Sequence, residues 1–400
     1  MTTYNLHSNN GLTALLNQVK SPTDAANVSA WVAALGFTPT SQNPLLTVLE
    51  NQPNTITTPY TLGGSHQLFL FSGATGQTAY VSDANGGNIL SDPGNIVYTG
   101  PTMTGATGGD TLLGATGSTM VAMSGNNQLY SIDGNSTLVG GSGSDYIAGG
   151  FYANATDSLF GGSGAETLVT MMGNNWLNAG SGNDYLQGGA GSDTLVGSTG
   201  SDTLYAGAGH NELYGGSGSQ LLVGNQGTGA AGSVLVAGTG NNYLIGGAGA
   251  DTLVGSSGTD TLYAGTGANI LYGGSGSEYL VGNQTTGANA GVVIYSGSTN
   301  STIVGGHAGG IDVLVGSNTE FIGSSSSTGL DWVVAGYGSN NESDTVYGGA
   351  FTAVAEKNAS TDIHSQTVVG GITQITFNNG QTLDSWNAYI QFSDGKIIKT

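Results

Sequence analysis

The strongest constraint on this chain is a nine-residue repeat. Over residues 179–223, five consecutive segments read AGSGNDYLQ, GGAGSDTLV, GSTGSDTLY, AGAGHNELY and GGSGSQLLV. Position four is always Gly, position six is Asp, Asn or Gln, and position eight is always Leu. A period of nine matches neither the period of an α-helix nor the simple alternation of a hairpin ladder. We therefore expect a coil in which every repeat makes one similar step.

The two parts of the repeat predict a turn followed by a strand. Six Gly-rich residues favour a turn with left-handed backbone, which Gly adopts at low cost. The last three residues predict a short strand whose middle side chain points inward. Successive strands then lie on alternate sides of a flattened coil, so that two parallel sheets enclose Leu186, Leu195, Leu204, Leu213 and Leu222. Because a core one leucine wide cannot offset the backbone entropy of nine ordered residues, the residue at position six is the candidate for further stabilisation.

The repeat resembles the pattern G-G-x-G-x-D-x-U-x of the RTX family, the haemolysin-type calcium-binding repeats. It begins near residue 105 (GATGGDTLL) and is regular from residue 140 (GGSGSDYIA). The resemblance implies an all-β fold, a parallel β-roll (the RTX β-solenoid), with Ca²⁺ as the cofactor. It also implies that each ion lies between adjacent turns on one edge of the roll.

The position-six side chains are the candidate calcium ligands, because Ca²⁺ takes six to eight oxygen atoms from carboxylates and carbonyls. The resemblance implies these ligand pairs: Asp145 with Glu166, Glu166 with Asp184, Asp184 with Asp202, and Asp260 with Glu278 on one edge; Asp193 with Asn175 or Asn211, and Asp251 with Asn269 on the other. Gln220 and Asn242 replace carboxylates, so their sites are expected to be weak or absent. A ladder of Asn and Asp side chains that holds no metal is the alternative.

The charge of the chain excludes several classes of partner. The net charge is −21, and residues 21–356 contain no Lys or Arg. Nucleic acid and anionic membrane surfaces are both bound through basic residues, so neither is an expected partner. Divalent cations are the expected counter-charge. The chain has no Cys, which excludes disulfides and thiolate metal sites, and no apolar run is long enough for a membrane span.

Four regions are expected along the chain. Residues 1–57 predict a helical cap or anchor with two short helices, from the helical spacing of Leu12, Leu15, Leu16 and Val19 and from Pro22 to Gly36. This region either shields the end of the solenoid or docks onto a cell surface or a neighbouring subunit. Residues 58–104 predict an irregular β region, residues 105–316 the calcium β-roll, and residues 317–400 a C-terminal β cap.

Two features of the repeat region suggest contacts beyond calcium. Long turns occupy residues 149–160, 224–236 and 282–294, and even numbers of coils separate them. Strict alternation would place all three on one edge, as a contact edge or as tolerated insertions. Tyrosines and a tryptophan recur at the outward positions seven and nine, either as a contact surface or as good strand formers.

The C-terminal segment resembles that of RTX substrates of the type I secretion machinery, and the N-terminal sequence does not read as a secretory signal peptide. We therefore expect an extracellular or cell-surface protein. The leading hypothesis is a calcium-binding structural protein that self-assembles, as a homo-oligomer or lattice, into a surface layer or matrix. An adhesin that binds a cell-surface polysaccharide or another ligand through the long turns is the alternative, as is an enzyme with an unrecognised site. We expect no enzymatic activity, because the five His form no metal-ligand spacing.

Overall fold

The computed structural model covers the chain from residue 1 to residue 400. It describes the strand segments 2–5, 45–50, 60–61, 68–72, 78–79, 81–82, 88–91, 97–99 and 111–114, and residues 119–400 except 123–124, 132–133, 151–153, 228–230, 284–291, 298–299, 307–309, 314–318, 324–330, 336–342, 349–351, 357, 359 and 387. The chain divides into two compact units, residues 1–180 and 181–400. Where the structure describes the chain, no helix is long and apolar enough to cross a membrane.

In the first unit most strands belong to sheet A or sheet B. Sheet A contains β1 (Thr2–Asn5), β2 (Leu45–Glu50), β4 (Leu68–Ser72), β7 (Asn88–Ser91), β9 (Thr111–Gly114), β11 (Gln128–Ser131), β13 (Tyr146–Gly149) and β15 (Thr167–Thr170). Sheet B contains β5 (Thr78–Ala79), β8 (Val97–Thr99), β10 (Thr119–Val121), β12 (Thr137–Ser142), β14 (Ser158–Ser163) and β16 (Trp176–Ser181). A separate pair is formed by β3 (Tyr60–Thr61) and β6 (Val81–Ser82).

In the second unit the strands again alternate between a sheet A and a sheet B. Sheet A contains β17 (Tyr185–Gln187), β19 (Thr203–Tyr205), β21 (Leu221–Val223), β23 (Tyr243–Ile245), β25 (Thr261–Tyr263), β27 (Tyr279–Val281), β29 (Thr302–Val304), β31 (Glu320–Ile322), β33 (Ser343–Tyr347), β35 (Ile363–Val369), β36 (Ile372–Phe377) and β37 (Thr382–Trp386). Sheet B contains β18 (Thr194–Thr199), β20 (Glu212–Ser217), β22 (Val234–Thr239), β24 (Thr252–Ser257), β26 (Ile270–Ser275), β28 (Val292–Tyr295), β30 (Gly310–Val313), β32 (Asp331–Ala335), β34 (Thr352–Glu356), β38 (Tyr389–Phe392) and β39 (Ile397–Lys399).

The repeat register places identical positions beside each other. In sheet A of the second unit, Leu204 pairs with Leu186 and with Leu222 in parallel strands. In sheet B, Leu213 pairs with Leu195 in the same way. All five leucines are fully buried. The predicted parallel β-solenoid with a core one leucine wide per strand is therefore confirmed.

The turns between strands depend on glycine at position four. Gly200 has φ +133°, and a Cβ atom there would overlap the carbonyl oxygen of Gly182, one coil earlier on the same edge. Such a φ is rarely adopted by residues with a side chain. Glycine therefore allows consecutive turns to stack with their backbones in close approach.

The long turns all make the same kind of connection. Each of the segments 149–160, 224–236 and 282–294 joins a sheet A strand to the next sheet B strand: β13 to β14, β21 to β22, and β27 to β28. In the second of these, Asn225 closes the turn, because its Oδ1 accepts from the N–H of Gly227 (2.7 Å) and its Nδ2 donates to the carbonyl of Ala231 (3.3 Å). The alternation inferred from even coil spacing thus agrees with the strand order.

The predicted N-terminal helical cap is not confirmed. The two short helices expected between residues 12 and 36 lie outside the described residues. The described parts of residues 1–57 are strands, since β1 pairs antiparallel with β2 and β2 pairs parallel with β4. The segment Leu45–Glu50, LLTVLE, follows a strand pattern and joins the sheet.

The C-terminal segment consists mainly of strands, with one short 3₁₀ turn at Ser360–Asp362. Strand β37 pairs parallel with β33, and β38 pairs parallel with β34. The antiparallel pairs β36–β37 and β38–β39 are joined by the turns at NNG and SDG that the sequence indicated, and β35–β36 is joined by a turn at Gly370 and Gly371. A role for these strands in capping the solenoid stays a prediction.

Candidate metal centre

The position-six residues line the turns on two edges of the repeat. In each unit, we call the turns that lead into sheet A strands the A edge, and those that lead into sheet B strands the B edge. The A edge carries Asn127, Asp145, Glu166, Asp184, Asp202, Gln220, Asn242, Asp260, Glu278 and Ser301, and the B edge carries Ser136, Asp157, Asn175, Asp193, Asn211, Ser233, Asp251 and Asn269. Every one of these side chains is at most 3% exposed. All ten predicted ligands are therefore buried in the turns.

Several position-six side chains are tied to the previous coil of their own edge. On the A edge the backbone N–H of Asp184 donates to Oδ1 of Asp202 (3.0 Å), and that of Asp260 donates to Oε2 of Glu278 (2.8 Å). In the first unit the N–H of Asp145 donates in the same way to Oε2 of Glu166 (2.7 Å). These three predicted pairs are thus brought together by a hydrogen bond that uses one carboxylate oxygen.

The B edge forms the same ladder with amides. The N–H of Asp193 donates to Oδ1 of Asn211 (2.8 Å), and that of Asp251 donates to Oδ1 of Asn269 (2.7 Å). The predicted B-edge pairs are therefore adjacent as well. Their role as metal ligands stays a prediction.

The second oxygen of several carboxylates has no hydrogen-bond partner and is buried: Asp145 Oδ2, Asp202 Oδ2, Asp251 Oδ2, Asp260 Oδ2 and Glu278 Oε1. A buried charged oxygen without a partner is unfavourable unless a cation or a proton compensates it. Burial accordingly raises the pKa of Asp202 to about 6 and the pKa of Asp251 and Glu278 to about 7. It also raises the pKa of Asp145 and Asp260.

The second carboxylate oxygens of the turns lie close to the first glycine of the turn. A Cβ atom on Gly255 would lie 2.6 Å from Oδ2 of Asp260 and would also meet the carbonyl oxygen of Gly273 in the next A-edge coil. A Cβ on Gly188 would likewise lie 2.8 Å from Oδ2 of Asp193 and 2.6 Å from the carbonyl oxygen of Ala206. A carboxylate oxygen and a carbonyl oxygen from the next coil therefore converge in front of the first glycine of the turn.

This donor set fits Ca²⁺, which prefers carboxylate and carbonyl oxygens in a flexible cage. Among the described residues, no group of three or more His, Cys, Asp or Glu side chains comes together. Backbone carbonyls would therefore provide much of the coordination. A bound ion would supply positive charge to carboxylates that burial otherwise penalises.

Gln220 and Asn242 differ from the carboxylates as the sequence indicated. Nε2 of Gln220 donates to the carbonyl of Gly200 (2.8 Å), and Nδ2 of Asn242 donates to the carbonyl of Gly240 (3.0 Å). An ionised carboxylate has no donor and cannot make these bonds. The two amides therefore fill their turns with protein hydrogen bonds.

Asp157 is a buried position-six residue of the B edge that was not among the ligands predicted from the repeat pattern. Its Oδ1 accepts from the N–H of Ser136 (2.7 Å), and its Oδ2 accepts from the N–H of Gly150 (2.5 Å). Oδ2 thus closes the long turn before β14, and Oδ1 links this turn to the preceding B-edge coil. The signal was present in the sequence, because DSL at residues 157–159 keeps the D-x-L spacing of the repeat.

The comparisons with known proteins agree with this geometry. Residues 119–151, 160–195, 187–221, 228–262 and 254–284 match the family model of the RTX calcium-binding nonapeptide repeat (4 copies). The search of curated proteins finds no match. RTX nonapeptide repeats bind calcium, and the converging oxygens of the turns suit that ion. Residues 119–284 therefore carry RTX calcium-binding nonapeptide repeats.

Proposed function

We propose that this chain is a secreted, non-catalytic structural protein that assembles with further copies of itself into a surface layer or matrix when calcium is present. The RTX repeats are typical of an extracellular calcium-binding protein. The observation that favours assembly is an uncharged, tyrosine-bearing outer face on a strongly acidic chain.

That outer face belongs to sheet A of the second unit. Strands β17, β19, β21, β23, β25, β27 and β29 contain no Asp, Glu, Lys or Arg. Its exposed tyrosines include Tyr185, Tyr205, Tyr243 and Tyr279, each between 36% and 41% exposed. Ring centroids of Tyr185 and Tyr205 lie 5.7 Å apart, and those of Tyr243 and Tyr263 lie 5.4 Å apart. Adjacent aromatic rings of this kind are enriched at protein interfaces.

Calcium bound in the acidic turns would favour contact between copies through this face. The net charge of −21 opposes contact between copies. Ions bound in the turns would neutralise part of that charge. Two copies would then repel each other least where their uncharged faces meet. Each contact through such a narrow face is small, so we expect a stable assembly only where several contacts act together.

We further propose export by the type I secretion machinery, as the resemblance of the C-terminal segment suggests. A Gly-rich acidic chain would remain unfolded at low calcium and would fold at the millimolar calcium that extracellular calcium modules require. Export of an unfolded chain and folding outside the cell are then one process.

A calcium-dependent adhesin is the second candidate. The supporting observation is that each of the three long turns connects a sheet A strand to a sheet B strand, and that the two in the second unit, at residues 224–236 and 282–294, lie on its B edge. Turns of this kind could present a binding surface for a cell-surface polysaccharide or another ligand.

The test is electron microscopy and light scattering of the full chain with calcium, with magnesium and with a chelator. We expect sheets or filaments with calcium alone. The double variant Tyr243→Ser/Tyr263→Ser should assemble at least 10-fold less, whereas the control Tyr389→Ser, an exposed tyrosine on β38, should assemble normally. Circular dichroism with calcium would show that each variant is folded. Monodisperse wild-type particles with calcium would contradict assembly and favour the adhesin, and full assembly by the double variant would exclude this face.

A further inference from the structure

The two edges of the second unit differ in how carboxylates follow one another. On the A edge, Asp184 is followed by Asp202, and Asp260 is followed by Glu278. On the B edge the order is Asp193, Asn211, Ser233, Asp251 and Asn269, so no two consecutive coils both carry a carboxylate. The A edge therefore contains paired negative charges, whereas the B edge contains single ones.

The amides of the B edge make hydrogen bonds that carboxylates cannot make. Nδ2 of Asn211 donates to the carbonyl of Gly209, and Nδ2 of Asn269 donates to the carbonyl of Gly267, both at 3.2 Å. Each of these carbonyls belongs to position four of the same turn. Since Oδ1 of each amide also accepts a backbone N–H, both ends of the side chain have protein partners. These turns are thus closed without an ion.

In the A-edge pairs, the carboxylates of Asp202, Asp260 and Glu278 lack such closure. Oδ2 of Asp202, Oδ2 of Asp260 and Oε1 of Glu278 are buried and accept no hydrogen bond. In the second pair, two oxygens of this kind lie in adjacent coils, which are linked by the hydrogen bond from the N–H of Asp260 to Oε2 of Glu278. Calcium affinity increases with the number of charged ligands in the site. The A-edge pairs therefore need an ion more than any single B-edge carboxylate does.

Two amides separate the A-edge pairs. Gln220 and Asn242 donate to the carbonyls of Gly200 and Gly240, and Nδ2 of Asn242 also donates to Oδ1 of Asp260 (2.8 Å). The N–H of Gln220 donates to Oδ1 of Asn242 (2.9 Å), which completes the ladder through this segment. The spacer between the two pairs is therefore satisfied by protein donors.

We propose that tight calcium binding in residues 181–284 is confined to the A edge, at the pairs Asp184–Asp202 and Asp260–Glu278. The spacer Gln220–Asn242 and the amide turns of the B edge hold their shape by hydrogen bonds. Single carboxylates such as Asp251 give at most weak sites. This inference rests on calcium binding by the repeats and does not depend on assembly.

The test is calcium titration of the full chain by calorimetry, with native mass spectrometry to count bound ions, at a concentration below assembly. Asp202→Asn and Asp251→Asn form a matched pair, because each replaces one buried carboxylate by an amide. We expect Asp202→Asn to weaken at least one tight site 10-fold or more, and Asp251→Asn to leave all tight sites unchanged. Equal losses in the two variants would overturn the proposal.

A gain-of-site variant keeps the test decisive if Asp202→Asn does not fold. Asn211→Asp places a second carboxylate beside Asp193 and should add one tightly bound ion on the B edge. Ser201→Asp, which adds the same charge at an exposed turn position, should add none. Failure of Asn211→Asp to gain an ion, in protein shown to be folded by circular dichroism, would contradict the proposal. Loss of assembly with unchanged ion counts would instead count only against the function proposed above.

Discussion

At the scale of single residues, position four and position six have different tasks. Position four allows turns to stack, because a side chain there would enter the carbonyl of the preceding coil. Position two is less strict, since Ser198 and Ser256 adopt φ +79° there. Position six ties one coil to the next through its side-chain oxygen. Backbone geometry is therefore set by glycine, and charge is placed by the residue two positions later.

The substitution Gly200→Ala should destabilise the calcium-loaded protein by at least about 2 kcal/mol. The unfavourable backbone of a residue with a Cβ costs roughly 1–2 kcal/mol, and the overlap with the carbonyl of Gly182 adds to this. Thermal unfolding in calcium measures the change. The control Ser201→Ala is exposed and keeps the bond from its N–H to Asn183, so it should change stability little. A midpoint for Gly200→Ala equal to that of wild type would show that the turn can rearrange.

At the scale of the element, one short strand contributes one inward side chain. In β19 the side chain of Leu204 is fully buried, whereas those of Thr203 and Tyr205 face outward. Strands this short form no stable sheet alone, so each depends on the parallel neighbours before and after it. The stability of one coil is therefore closely linked to that of the next.

The substitution Leu204→Ala should cost about 2–5 kcal/mol, because it removes buried methyl groups and leaves a cavity. Denaturant unfolding in saturating calcium measures this change in the free energy of unfolding. Thr203→Ala on the same strand points outward and should cost less than about 1 kcal/mol. If both variants lose the same free energy, the leucine row is not the core of the solenoid.

At the scale of the whole molecule, acidic charge is both the obstacle to folding and the basis of calcium binding. The buried carboxylates of both edges must either bind a cation or take up a proton. Several carboxylates respond in the same direction, so the repeat region should depend on calcium and on pH as a unit.

In the presence of a chelator, the folded repeat region should be more stable at pH 5 than at pH 8. Burial raises the pKa of Asp202 from 3.8 to about 6, that of Asp251 from 3.8 to about 7 and that of Glu278 from 4.5 to about 7. The folded state therefore holds more protons than the unfolded state between about pH 4 and pH 7, and stability falls as pH rises through this range. Circular dichroism should show β-structure at pH 5 that is lost at pH 8 and restored there by calcium. More β-structure at pH 8 than at pH 5 without calcium would contradict this account.

The sequence by itself determined the coil, its core and its edges. The period of nine, with Leu at position eight and Gly at position four, fixes which side chains point inward and where the chain turns, because both depend on local backbone geometry. Asp or an amide at position six then falls at an edge by spacing alone. The family match over residues 119–284 agrees with that interpretation.

The tertiary structure decided which atoms of the edge residues meet, and how the described chain ends pair. The partner of Asp202 lies 18 residues away, in the neighbouring coil, so the contrast between closed amide turns and carboxylates with an unpartnered oxygen is not visible in one repeat. The link between Asp157 and the preceding B-edge coil depends on Ser136, 21 residues earlier. Strand β2 likewise belongs to sheet A because it pairs with β4. The helical spacing noted elsewhere in residues 1–57 gave no sign of this pairing. Local pattern sets the conformation of a coil, but hydrogen-bond direction and strand pairing depend on neighbours distant in sequence.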